Sequence, residues 1–186
     1  MSIALEETQA IFIDRDGVVN RRLVGDYVKR WQEFEFLPDI FSVLPEIHRE
    51  GRLAILITNQ RGIGRGLMSV ADLEEIHGKM QGELEARTGH RFDAIYFCPH
   101  DRDEGCECRK PRPGMLLSAA RDYRLDLAGS WMIGDSESDV EAGLAAGCHA
   151  ARVGEQGTAT QGEILAGNLA EAWHEILRRL PRPIID

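Results

Sequence analysis

Two hydrophobic rhythms alternate along this chain. Apolar runs at Ala10-Ile11-Phe12-Ile13, Leu53-Ala54-Ile55-Leu56-Ile57 and Trp131-Met132-Ile133 read as strands covered on both faces. Phe92–Phe97 and His149–Val153 read as two more. Between them the apolar positions recur at helical spacing. Leu37, Ile40, Phe41, Leu44 and Ile47 predict an amphipathic helix, with Pro38 in its first turn and Gly51 at its end. Ser69 and Asp72 form a capping-box pattern ahead of the stripe Leu73, Ile76, Met80 and Leu84, and Gly89 closes it. Further helices are predicted after Pro113, through about residue 146, and over Ala170, Trp173, Ile176, Leu177 and Leu180. Residues 17–36 sustain neither period and read as a structured flap. Residues 61–68, with three glycines and two arginines, read as a ligand-contacting loop, and residues 154–167 as loop. Alternating strands and helices predict an α/β fold with a parallel sheet, one domain over 1–186.

In an open parallel sheet ligands bind beyond the carboxyl ends of the strands. Here those ends carry Asp14 and Asp16, then Thr58-Asn59-Gln60, then Asp135. Side chains at i and i+2 of extended backbone leave on the same side, so Asp14 and Asp16 can converge. Two carboxylates that close require a cation between them or a shared proton. A bound Mg²⁺ or a carboxylate nucleophile beside a proton donor would meet that need. With the Thr58 hydroxyl and Lys110, the set suits phosphoryl transfer from an anionic ester. Turn chemistry and helix capping are the structural uses of the same residue types.

Composition narrows the class. With 43% hydrophobic and 28% charged residues, the 186-residue chain is that of a globular protein. Its net charge of −9 argues against nucleic acid as a partner and leaves a small anionic substrate open. No apolar run approaches the roughly 20 residues that cross a bilayer. The first seven residues lack a basic segment followed by an apolar one, so no signal peptide is predicted. These readings predict a cytoplasmic monomer with no membrane partner. Cys98, His100, Cys106 and Cys108 follow the pattern C-x-H-x5-C-x-C. Three thiolates and an imidazole make a closed tetrahedral set, the chemistry of structural Zn²⁺. Cys148 stands apart and reads as a small buried residue.

The motifs Asp14-Arg15-Asp16-Gly17-Val18, Thr58, Lys110 and Gly134-Asp135-Ser136-Glu137-Ser138-Asp139 resemble, in order, the four signatures of the haloacid dehalogenase (HAD) superfamily of phosphatases. The resemblance spans residues 10–153. It implies a three-layer Rossmann-like fold with no large cap domain. It also implies Asp14 as the nucleophile that forms an aspartyl-phosphate, Asp16 as general acid and then base, and Thr58 and Lys110 on the phosphoryl group. Mg²⁺ would be held by the Asp14 carboxylate, the Asp16 carbonyl and Asp135, with Asp139 supporting.

Asp-Arg-Asp-Gly, Thr58-Asn59-Gln60 and the cysteine motif running into Arg109-Lys110-Pro111 resemble more narrowly two subfamilies. They are the D-glycero-D-manno-heptose 1,7-bisphosphate phosphatases and the histidinol-phosphate phosphatases. Gly25-Asp26-Tyr27 stands near the place of a substrate-contacting His-Gly-Tyr segment, two residues further from Asp14, with Asp26 replacing Gly. Residues 58–66 resemble Thr-Asn-Gln-Ser-Gly-Ile-Ala-Arg-Gly, with Arg61 in place of Ser. The resemblance implies a phosphorylated sugar substrate, contacted by Gly25, Asp26, Tyr27, Asn59 and Gln60. Arg61, Arg65 and Arg109 are expected to meet a second anionic group. The expected reaction removes the 7-phosphate of the heptose bisphosphate. Histidinol phosphate is the alternative, its amine and imidazole suiting Asp26 or Glu33. A zinc-stabilised binding module without activity is the reading from another class, and intact Asp14, Asp16, Lys110 and Asp135 oppose it.

Overall fold

All four residues of Ala10–Ile13 (β1) are buried, because this strand lies inside a parallel sheet with helices on both faces. The computed structural model describes residues 8–180; the segment read above for a signal peptide lies outside them. The other strands are Leu53–Asn59 (β2), Ala94–Cys98 (β3), Trp131–Gly134 (β4), His149–Val153 (β5) and Ile164–Ala166 (β6). They pair in the order β3-β2-β1-β4-β5-β6, every pair parallel.

Side chains alternate across the sheet and so sort the helices into two layers. Ile11 and Ile13 pack with Ile40, Leu44 and Ile47 of α1 (Ile40–Arg49), Met80 and Leu84 of α3 (Val70–Thr88), and Trp173 of α6 (Leu169–Leu177). Phe12, Ile55 and Ile57 face the other way, against Met115 and Leu116 of α4 (Gly114–Tyr123) and Ala142 of α5 (Glu137–Ala146). The segment between β1 and α1 contains one 3-10 turn, Trp31–Glu33, and folds as a flap. Among the described residues no helix is long and apolar enough to cross a membrane.

Several element boundaries differ from the sequence reading. Helix α1 starts at Ile40, not Leu37, because the Leu37 N–H donates to the Val19 carbonyl at 2.9 Å and belongs to the returning flap. Strand β3 starts at Ala94, since the Gln81 side chain takes both the N–H and the carbonyl of Phe92 (3.0 and 2.8 Å). Residues 61–68 contain a helical turn, Arg61–Gly64 (α2), where loop was expected. Residues 154–167 contain β6, three residues that pair with β5 but are too short for a periodic signal. The Ser69–Asp72 capping box forms, and Gly89 ends α3 with φ +74°.

The sheet has one topological switch. From β1 the chain passes outward through β2 to β3, then returns to pair β4 on the other side of β1. The crevice beyond β1 and β4 is where such a sheet offers a binding site. Asp14 and Asp135 are the residues that follow those two strands.

Candidate active site

Asp14 leaves β1 still tied to the sheet, its N–H donating to the Ile133 carbonyl at 2.9 Å. Opposite it, the buried Lys110 ammonium uses all three donors: Asp14 Oδ1 at 2.7 Å, Asp139 Oδ1 at 2.6 Å and the Ile57 carbonyl at 2.9 Å. Lys110 comes from the loop before α4, and Asn59 fixes that loop. The Asn59 amide donates to the Lys110 carbonyl and accepts from the Lys110 N–H, both at 3.1 Å. Asn59, expected on substrate, clamps the backbone of the lysine and also lines the cavity over Asp14 and Asp16.

Asp16 sits in a separate set of donors. Arg15 Nη2 lies 3.0 Å from its carboxylate, Asn20 Nδ2 3.1 Å, and Gln60 Nε2 3.0 Å. Burial opposes its ionisation, but the Arg15 charge and these hydrogen bonds outweigh that and hold its carboxyl below the usual range. Gln60 Nε2 also donates to Thr58 Oγ1 at 2.8 Å, which links the ends of β1 and β2.

Asp14 is the opposite case. Its pKa is raised to about 7, by burial first, with Asp139, Asp135 and Asp16 adding to the rise against the pull of Lys110. Asp135 is raised to about 6, by burial first and Asp139 among the charges, against the pull of Arg22. Oxygens of Asp14, Asp135 and Asp139 lie within 4.8 Å of one another. Asp135 Oδ1 is buried without a partner, while Oδ2 accepts from Arg22 at 2.8 Å. Three crowded carboxylates and one orphaned oxygen make a fitting Mg²⁺ site. Gly17 keeps this space open: at φ +99°, a Cβ there would stand 2.1 Å from Asp135 Oδ2.

Asp139 has a second task. Its Oδ2 accepts from the Ser136 N–H at 3.0 Å and the Ser136 hydroxyl at 2.6 Å, capping α5 while Oδ1 holds Lys110.

A cavity of about 870 Å³ opens over Asp14 and Asp16. Gly25, Asp26 and Tyr27 of the flap line it, together with Asn59, Gln60, Arg61, Arg65 and Arg109. Thr58 and Asp135 are not among its wall residues. Asp26 is engaged by Lys29, with Nζ 2.5 and 2.6 Å from its two oxygens. Eight of the chain's 22 lysines and arginines line this cavity against four aspartates, so a protein of net charge −9 presents a cationic pocket.

Cys98 ends β3, and the four residues Cys98, His100, Cys106 and Cys108 bring their ligand atoms within 4.8 Å of one another. Cys98 Sγ lies 3.6 Å from Cys106 Sγ and 3.5 Å from His100 Nδ1, and His100 Nδ1 lies 3.2 Å from Cys108 Sγ. Disulfides need about 2.05 Å. Separations near 3.5 Å are instead the edges of a tetrahedron about a metal with bonds of roughly 2.0–2.3 Å, so the set fits Zn²⁺.

Some site residues were not singled out by sequence. Arg15 is buried, with its Nη1 3.3 Å from Nε2 of buried His77 on α3. Burial first and then Arg15 lower the His77 pKa to about 3, so the ring is neutral and accepts from Arg15. His77 follows Ile76 and lies three residues before Met80 on the apolar stripe, a signal that could have exposed it. Arg22, Arg102 and Arg112 line the cavity from irregular segments, which carry no period to read.

A family model described as "HAD-hyrolase-like" matches residues 107–179. The D-glycero-beta-D-manno-heptose-1,7-bisphosphate 7-phosphatase of Helicobacter pylori is 42% identical over 140 residues, 75% of this chain and 80% of that protein. The D-glycero-alpha-D-manno-heptose-1,7-bisphosphate 7-phosphatase of Mycobacterium bovis is 41% identical over 150 residues, 77% of this chain and 78% of that protein. Among solved structures, D,D-heptose 1,7-bisphosphate phosphatase from B. bronchiseptica, complexed with magnesium and phosphate, superposes with a TM-score of 0.84. It is 38% identical, and the match covers 92% of this chain and 99% of that one.

Proposed function

The chain belongs to the family of D-glycero-D-manno-heptose-1,7-bisphosphate 7-phosphatases, HAD-like hydrolases, and on that premise we propose that it removes the 7-phosphate of this sugar bisphosphate through an aspartyl-phosphate. The observation that carries the reading is the buried Asp14–Lys110–Asp139 chain of ion pairs at the floor of a cationic cavity. Lys110 occupies Asp14 Oδ1 and so orients the carboxylate, leaving Oδ2 to attack phosphorus. The P–O bond to the sugar breaks, and the leaving 7-oxygen takes a proton from Asp16. Asp16 then removes a proton from water, whose oxygen attacks phosphorus and frees Asp14 and inorganic phosphate. In the free site Asp16 is held as the carboxylate, the form that the second step uses; a phosphate dianion beside it raises its pKa toward the acid form that the first requires.

Asp14, Asp135 and the Asp16 carbonyl would hold Mg²⁺, with Asp139 behind them. Bound there, Mg²⁺ would supply positive charge to offset that of the phosphoryl group. Zn²⁺ in the four-residue site belongs to the same proposal, as does a reducing compartment, the cytoplasm, that keeps these thiols available as ligands. Arg65 lines the cavity as a partner for the substrate's other phosphate; Arg61 and Arg109, also expected there, line it too but are engaged by Asp101 and the His100 carbonyl.

The test is phosphate release with Mg²⁺ from both anomers of heptose 1,7-bisphosphate and from histidinol phosphate, with Asp14→Asn as control. Preference for the heptose, abolished in the variant, is expected. Preference for histidinol phosphate, or turnover that survives Asp14→Asn, overturns the reading.

A further inference from the structure

The seven arginines around the cavity are not equivalent. Arg15 holds Asp16, Arg22 pairs with Asp135, and Arg61 pairs with Asp101. Arg109 donates to the His100 carbonyl, and Arg112 to the carbonyls of Gly105 and Cys106. Of these seven, only the guanidiniums of Arg65 and Arg102 have neither a hydrogen bond nor an ion pair among the described residues.

These two arginines stand on either side of one rigid junction. The metal-ligand loop docks on α2 through Gln60 N–H to the Cys98 carbonyl and Gly64 N–H to the Pro99 carbonyl, both 2.8 Å. The fit is close: a Cβ on Gly64 would lie 2.6 Å from the Asp101 nitrogen. At the centre of the junction Arg61 neutralises Asp101, whose N–H is in turn held by Glu104 at 2.6 Å. Arg102 follows Asp101 directly, and Arg65 follows α2 directly. Asp101 is therefore engaged by Arg61, and two cations line the same cavity with donors free. A phosphate in this cavity would match guanidinium geometry and take the donors that both leave unused.

We propose that Arg102 is a specificity-determining residue, which together with Arg65 takes the phosphate that is not hydrolysed. This rests on the bisphosphate reading above. It assigns the cysteine–histidine loop a role in substrate choice: by docking on α2, the loop presents Arg102 to the cavity.

The test compares heptose 1,7-bisphosphate and heptose 7-phosphate as competitors of p-nitrophenyl phosphate hydrolysis, since the two sugars differ only in the distal phosphate. The readout is the ratio of their inhibition constants. In the unaltered protein the bisphosphate should bind more tightly. Arg102→Ala should reduce that preference about tenfold, the worth of one charge-assisted contact, and Arg102→Lys should restore part of it. No preference in the unaltered protein, or an unchanged ratio in Arg102→Ala, overturns the inference. Turnover of the heptose is read separately. If turnover fails while an Arg102-dependent preference persists, the substrate reading falls and the distal anion site stands.

Discussion

His77 offers the sharpest test of the electrostatics around the site. It is buried, its Nε2 accepts from Arg15 at 3.3 Å, and Arg15 is itself buried and bound to Asp16. A proton on this ring would set a second cation beside the guanidinium in a desolvated space, which is why its pKa falls from 6.5 to about 3. The unfolded chain titrates near 6.5. Above that value neither state binds the proton, and the neutral ring contributes its full stability. Between 6.5 and about 3 the unfolded state binds a proton that the folded state refuses, so stability falls as pH falls. The slope is about 1.4 kcal/mol per pH unit, or roughly 3 kcal/mol between pH 7 and pH 4. That is a large part of the 5–15 kcal/mol typical of a domain. His77→Gln keeps an acceptor for Arg15 and cannot titrate. Urea unfolding of both proteins across this range gives the difference, in which the contributions of all other groups cancel. Stability of the unaltered protein should drop relative to the variant by about 3 kcal/mol from pH 7 to pH 4. A difference that stays flat over that interval refutes the argument.

Lys110→Met should abolish turnover and cost about 3–5 kcal/mol in urea unfolding, because Asp14 and Asp139 are left buried without their counter-charge. Gly17→Ala should abolish Mg²⁺-dependent turnover while the protein stays folded by circular dichroism, since the new methyl meets Asp135 in a backbone conformation that suits glycine. Arg22→Ala should lower the Mg²⁺ concentration needed for half-maximal activity, because Arg22 competes for Asp135 Oδ2; a higher requirement would refute this. Cys106→Ser should reduce bound zinc, measured by metal analysis, and speed proteolysis between residues 99 and 108, a loop tied together by its four ligand side chains.

What the sequence by itself determined was local. Apolar runs long enough to cross a sheet marked five of the six strands, and helical stripes marked α1, α3, α4 and α6. Because parallel strands end together, the residues after those runs had to meet, so the sequence alone places Asp14, Thr58 and Asp135 at one edge. The cysteine spacing marked its own cluster for the same reason, since all four ligands lie within eleven residues.

Tertiary structure decided everything that depends on partners distant in sequence. Strand β6 exists because β5 supplies an edge to pair with, not because three residues carry a period. Asn59 meets the Lys110 backbone across 51 residues, Arg15 meets His77 across 62, and Arg61 meets Asp101 across 40. In a string of letters each of these side chains has the same charge or amide wherever it lies. Only the packed chain settles which arginines are neutralised by a neighbour and which, like Arg65 and Arg102, keep their donors for a ligand, because that depends on separations of a few ångströms between elements joined by long crossovers.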